Sequence, residues 1–204
     1  MKKSIPDSRC LLFAGMFTAV LLQPSKAVAH LVTTGMGPVY DGIGHLLLTP
    51  EDLVPAVAVA LYAGLRGRAP GRRALFFLPL AWLLGGLAGL MATGLTTFPL
   101  PALSFILLGI LIAADLRLPT NVFTVLVVVV GLVHGFFNGI ALKSGPGALG
   151  LVGIMAALFV LVALAAALVL SLKPLWARIV IRVAGSWVTA MGILMLGWFI
   201  RGQS

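Results

Sequence analysis

The sequence predicts an all-α polytopic membrane protein, with about six transmembrane helices behind a cleaved signal peptide and a short outer half-helix before span 1. Three observations predict it. Of 204 residues, 61% are hydrophobic and 9% charged, whereas a soluble domain averages roughly 45–50% apolar and about 25% charged. Several apolar runs reach the length of about 20 residues that crosses a bilayer as a helix. The arginines and lysines fall in short loops between those runs, the pattern of the positive-inside rule. The net charge of +9 thus describes membrane topology. No basic stripe with interleaved aromatics is present, so no nucleic acid partner is expected; the expected surroundings are a lipid bilayer.

The first element, "MKKSIPDSRC LLFAGMFTAV LLQPSKAVAH", reads as a signal peptide over residues 1–29. Lys2, Lys3 and Arg9 charge its start, and Leu11 to Leu22 form its apolar core. "AVA" (Ala27 to Ala29) offers a small-x-small cleavage pattern before His30. An uncleaved anchor helix is the other reading. Cleavage would remove Cys10, the one cysteine, and residues 30–204 would form a single six-helix transmembrane domain. A free α-amine beside the His30 imidazole could then chelate copper or nickel; a flexible, unliganded terminus is the simpler reading.

Six spans follow near 50–66, 73–92, 98–114, 121–141, 148–171 and 179–200. Arg66, Arg68, Arg72 and Arg73 lie in the first loop, Arg117 in the third, and Lys173, Arg178 and Arg182 in the fifth, against Lys143 and Arg201 on the other side. This bias puts the mature N-terminus on the periplasmic side of a bacterial inner (cytoplasmic) membrane. Small residues, such as Gly131, Gly135 and Gly139 at i, i+4, i+8, would let helices approach closely. A homo-oligomer or a partner membrane protein is compatible with such spans.

The stretch "HLLLTPEDLVP" (His45 to Pro55) starts span 1. Thr49 is the expected N-cap, Pro50 fits the first helical position, and Glu51 and Asp52 fall in the first turn, where the helix dipole favours negative charge. Upstream, "GPVYDGIGHLLL" is too short to cross and fits a half-helix at the outer face, with Asp41 and His45 on one side of it at i, i+4. Two readings compete. In one, the acids cap a helix and His45 is interfacial. In the other, Asp41, His45, Glu51 and Asp52 gather into a site of oxygen and nitrogen donors suited to a divalent first-row metal. A second polar island lies in span 4, "NVFTVLVVVVGLVHGFFNGIAL". Its His134 and Asn138, also at i, i+4, sit about 20 Å from the inner end, near the depth of the span 1 start. They are either structural glue or part of the same site.

These stretches resemble the HupE/UreJ membrane proteins, regarded as nickel or cobalt permeases. The family's first span reads approximately H-P-x-x-G-x-D-H-L-L-A-M-V-A-V-G-L-W-A, and "HLLLTPEDLVPAVAVALYA" (His45 to Ala63) matches it without a gap. His45 falls on the first family His, Glu51 on the Asp and Asp52 on the second His. A second family pattern, H-G-x-A-H-G, is met by "HGFFNG" (His134 to Gly139), with Asn138 where the second His belongs. The resemblance covers most of the chain and implies metal ligands at His45, Glu51, Asp52, His134 and Asn138, with Asp41 nearby. The cargo implied is nickel or cobalt, and copper or zinc would suit the same donors. Two imidazoles are replaced by oxygen donors, which are harder ligands. A non-transporting scaffold or assembly factor for a metalloenzyme system is the alternative.

An enzyme is not expected. Ser104, Ser186 and Thr124 lie in or near spans, but no GxSxG or HExxH pattern occurs. No P-loop is present either, so active transport would draw on a gradient or a partner.

Overall fold

The computed structural model describes residues 33–93, 99–172 and 175–202. The expected signal peptide, Cys10 and His30 lie outside the described residues. The described residues form seven helices in order: α1 Pro38–Leu48, α2 Pro50–Arg66, α3 Arg68–Met91, α4 Leu100–Ala113, α5 Thr120–Leu142, α6 Gly147–Ser171 and α7 Leu175–Arg201. Helices α3, α5, α6 and α7 are each long and apolar enough to cross a membrane. Helices α1 and α2 qualify only as a pair, bent by 77° at their junction.

The short helix expected before span 1 is present as α1, and α2 covers the expected residues. Two details differ. Thr49 occupies the N-cap position of α2 but makes no side-chain cap hydrogen bond; its carbonyl accepts from the amides of Asp52 and Leu53 instead. Helix α3 starts five residues before the expected 73, because Gly67 (φ 110°) makes the reversal alone and arginine is a good helix former. Helix α4 is apolar but has 14 residues, about 21 Å, against a hydrocarbon core of about 30 Å.

Glycine seams hold the bundle. The most extensive contact is α3 on α5. A Cβ at Gly85, Gly89, Gly135 or Gly139 would run into the backbone of the facing helix, so only glycine permits this spacing. A second seam joins α4 to α7 through Gly109, Gly185 and Gly192, and a third joins α1 to α6, where Gly42 faces Gly150 and Gly153 faces Val39. Such seams associate helices by close packing where hydrophobicity gives no preference between protein and lipid. The outward faces carry large exposed apolar side chains, among them Phe76, Leu80 and Leu84 on α3 and Trp187, Leu194 and Trp198 on α7. Water would not tolerate that surface, and a bilayer accepts it.

The arginine-bearing loops meet at one end. Arg66 bonds Asp115 there. The Tyr62 hydroxyl donates to the Leu116 carbonyl (2.8 Å) and accepts from the Leu118 amide (3.0 Å). Arg73 reaches the Asn121 side chain, and Arg182 the Ala113 carbonyl. Asp115 adopts φ 52°, a left-handed conformation that Asp and Asn tolerate better than most residues. Partial burial works against its charge, but the Arg66 hydrogen bond and the charges of Arg66, Arg178 and Arg182 outweigh it and hold the carboxyl below the usual carboxylate range. At the opposite end, Lys143 donates to the Ala92 carbonyl.

Two outcomes follow. Gly135→Val should cost about 1–3 kcal/mol by forcing α3 from α5, seen as a lower thermal midpoint in detergent, while Gly197→Ala, which meets nothing within 4 Å, should not lower the midpoint. A depressed Asp115 adds stability that is present above its unfolded value and lost as pH falls through its folded value. Asp115→Asn should therefore be less stable than the parent at neutral pH, by under about 1 kcal/mol at this partly exposed site, and the gap should close in an acid titration.

Candidate functional site

The junction of α1 and α2 is where a polar centre becomes unavoidable. Gly37 (φ 106°) leads into Pro38, and Pro50 starts a new helix after a single residue, Thr49. This places His45 in the last turn of α1 and Glu51 and Asp52 in the first turn of α2. Asp52 points inward and is 7% exposed. A buried carboxylate needs donors, and α5 supplies them. His134 Nδ1 lies 2.8 Å from one Asp52 oxygen, and Asn138 Nδ2 donates to the other at 2.8 Å. The i, i+4 spacing of His134 and Asn138 lets one helix face grip both oxygens.

The network continues into α4 and α3. His134 Nε2 is 2.9 Å from Ser104 Oγ. In a neutral imidazole that donates Nδ1–H to Asp52, Nε2 accepts and the serine hydroxyl donates. The Trp82 ring stacks on the imidazole at 5.2 Å between centroids and 28° between planes. His134 is 1% exposed, and both its ring nitrogens are engaged. The order carboxylate, imidazole, hydroxyl is that of a hydrolase triad. Ser104, however, is buried inside a helix, without the sharp strand-to-helix turn that presents a hydrolase nucleophile.

Of the expected residues, Asp52, His134 and Asn138 are thus joined directly. His45 is buried, Glu51 is exposed, and the charge of Asp52 lies close enough to act on both. Neither makes a side-chain hydrogen bond within the described residues, so their donor atoms are uncommitted. Asp41 is not drawn in. Its carboxylate accepts from the Thr34 amide (2.6 Å) and hydroxyl (2.7 Å), closing the loop ahead of α1. Among the described residues no three His, Cys, Asp or Glu side chains stand close enough together to hold a metal ion. One donor in the centre is unspent: Asn138 Oδ1 is buried without a hydrogen-bond partner. Pro55 sits inside α2 and has no N–H, so the Glu51 carbonyl lacks its usual i+4 donor. Sequence reasoning did not give Ser104 its partner and missed Trp82. The available signal for Ser104 was its standing as the sole hydroxyl in an otherwise apolar helix.

Comparison with known proteins gives a consistent result. The family described as HupE / UreJ protein matches residues 18–195. Protein HupE of Rhizobium leguminosarum bv. viciae is 30% identical over 184 residues, covering 87% of this chain and 94% of that protein. No solved structure matches.

Removing the acceptor at the centre should strand two buried donors. Asp52→Ala should therefore destabilise by about 3 kcal/mol and Ser104→Ala by about 1 kcal/mol. Thermal unfolding in detergent checks the order; equal effects would mean that Asp52 is not the hub.

Proposed function

This chain belongs to the HupE / UreJ family, and on that premise we propose that it is a permease for a divalent transition-metal cation of the nickel or cobalt type. The observation that carries the reading is the buried Asp52 carboxylate, held by His134 and Asn138 at a break between two helices. Ionisable groups inside membrane helices are expensive and mark ion pathways. Broken helices place uncommitted backbone and side-chain donors there.

In this reading the uncommitted His45 and Glu51 take the cation from the outer face. The Glu51 carbonyl and Asn138 Oδ1 replace further waters, and Asp52 compensates the charge. His134 positions Asp52, since both its nitrogens are engaged. Asp41 stays with Thr34 as part of the approach. Oxygen donors at 52 and 138 make the site harder than an all-imidazole one, which favours transient holding over tight capture. Copper and zinc remain acceptable to this donor set, and His30 would add donors if it is the mature N-terminus. We place the protein in a bacterial inner membrane with six crossings, α4 being a short one, and the arginine end in the cytoplasm. The signal peptide would be removed before His30. No enzymatic activity is part of the proposal.

A second reading, a non-transporting scaffold for a metalloenzyme system, is favoured by the lack of a gathered ligand set among the described residues.

The test is nickel and cobalt uptake by cells making the wild type, His45→Ala/Glu51→Ala or Asp52→Asn, at matched membrane levels. Uptake should fall to background in both variants. Wild-type uptake by the double variant overturns the permease, and absence of uptake by the wild type with a stable membrane partner supports the scaffold.

A further inference from the structure

Away from the polar centre, the arginine end carries a surplus of positive charge with a defined shape. A cleft of about 610 Å³ opens between the end of α2, the start of α3, the turn before α5 and the start of α7. Arg66, Arg68, Arg117 and Arg178 line it, and no carboxylate does. The adjacent Asp115 is already bonded to Arg66 and lies 3.9 Å from Arg178. Arg68 and Arg117 are exposed and bond no described residue. Arg66 Nε is buried without a hydrogen-bond partner, though its side chain is 9% exposed. The cleft therefore presents donors and charge in excess of what the protein itself consumes.

Arg68 also lines a second cavity. It is a groove of about 460 Å³ between α3 and α6. Arg68 and Arg72 stand at one end, and the walls are apolar, with Leu75, Val162, Ala166 and Leu170 among them. The α6 residues 162–170 span about 12 Å along the helix axis. Positive-inside bias explains why arginines sit at this end. It does not explain four of them around one cleft free of carboxylates, one of which, Arg68, also lines an apolar groove.

We propose that this paired cavity binds one anionic phospholipid. The phosphate takes Arg68, Arg117 and Arg178 as donors, with the unspent Arg66 Nε–H beside them, and an acyl chain lies in the groove between α3 and α6. Basic pockets between helix ends suit anionic headgroups, and arginine matches phosphate oxygens in pairs. The groove selects a lipid over free phosphate, because inorganic phosphate leaves the apolar walls unfilled.

Native mass spectrometry of the full-length protein in detergent tests this with phosphatidylglycerol and phosphatidylcholine of identical chains. One phosphatidylglycerol should be retained in preference to phosphatidylcholine. Arg68→Gln and Arg117→Gln should each weaken it about fivefold, with Arg68→Lys restoring most of the loss. Both positions are exposed, so the fold should survive. Ala167→Phe, which fills the groove wall, should weaken binding with every arginine kept. Equal retention of the two lipids, or an unchanged preference in the Arg68→Gln/Arg117→Gln pair, overturns the proposal. So does displacement of the lipid by inorganic phosphate together with full binding by Ala167→Phe, which would assign the cleft to a free anion.

Discussion

The carboxylate of Asp52 is the constraint around which this bundle is organised. A charge-bearing group among apolar helices persists only where its oxygens are bonded and its neighbours are held in register. His134 and Asn138 meet that demand from α5, and Ser104 fixes the far side of the imidazole from α4. The ring face rests on Trp82 of α3, so three helices converge on one side chain of α2. The α3–α5 seam belongs to the same arrangement. A Cβ at Gly135 would meet the Trp82 backbone, so the glycine that lets the helices touch also sets the distance between Trp82 and His134.

Helix α2 links this centre to the opposite end of the molecule. Asp52 lies in its first turn, and Tyr62 and Arg66 lie in its last two, about 15–21 Å further on. Tyr62 holds both sides of the turn after α4, while Arg66 stacks over the Tyr62 ring at 4.9 Å and bonds Asp115. The α4 helix is thereby pinned at both ends to α2, by Ser104 through His134 and by the turn at 115–118. This double attachment compensates for the small length of α4.

Much of this was legible in the residues. Pro50 after Thr49, with two acids behind it, announced the start of α2, and the i, i+4 pair of His134 and Asn138 announced a polar face at matching depth. Those are local signals, and local signals survive folding. What could not be read was which groups would bond. The acids at 51 and 52 look alike in sequence, yet Asp52 turns inward and Glu51 stays exposed, because one residue along a helix is a rotation of about 100°. Asp41 shares a face of α1 with His45 as its i, i+4 spacing implies, but its carboxylate is bonded to Thr34 of the preceding loop. The pairing of Ser104 with His134, and of Asp115 with Arg66, depends on how helices distant in sequence are placed, which no local pattern encodes.

The single-residue joint at Thr49 has a mechanical consequence. With one residue between two helices, α1 can reorient against α2 chiefly through two torsions. Yet α1 is fastened elsewhere, its Gly42 and Val39 set against Gly150 and Gly153 of α6. Helix α2 packs on α6 too, with Gly64 against Ala166 and Val169, so α6 backs both arms of the joint and holds the bend. The two side chains that flank the joint, His45 and Asp52, are therefore referred to one common support.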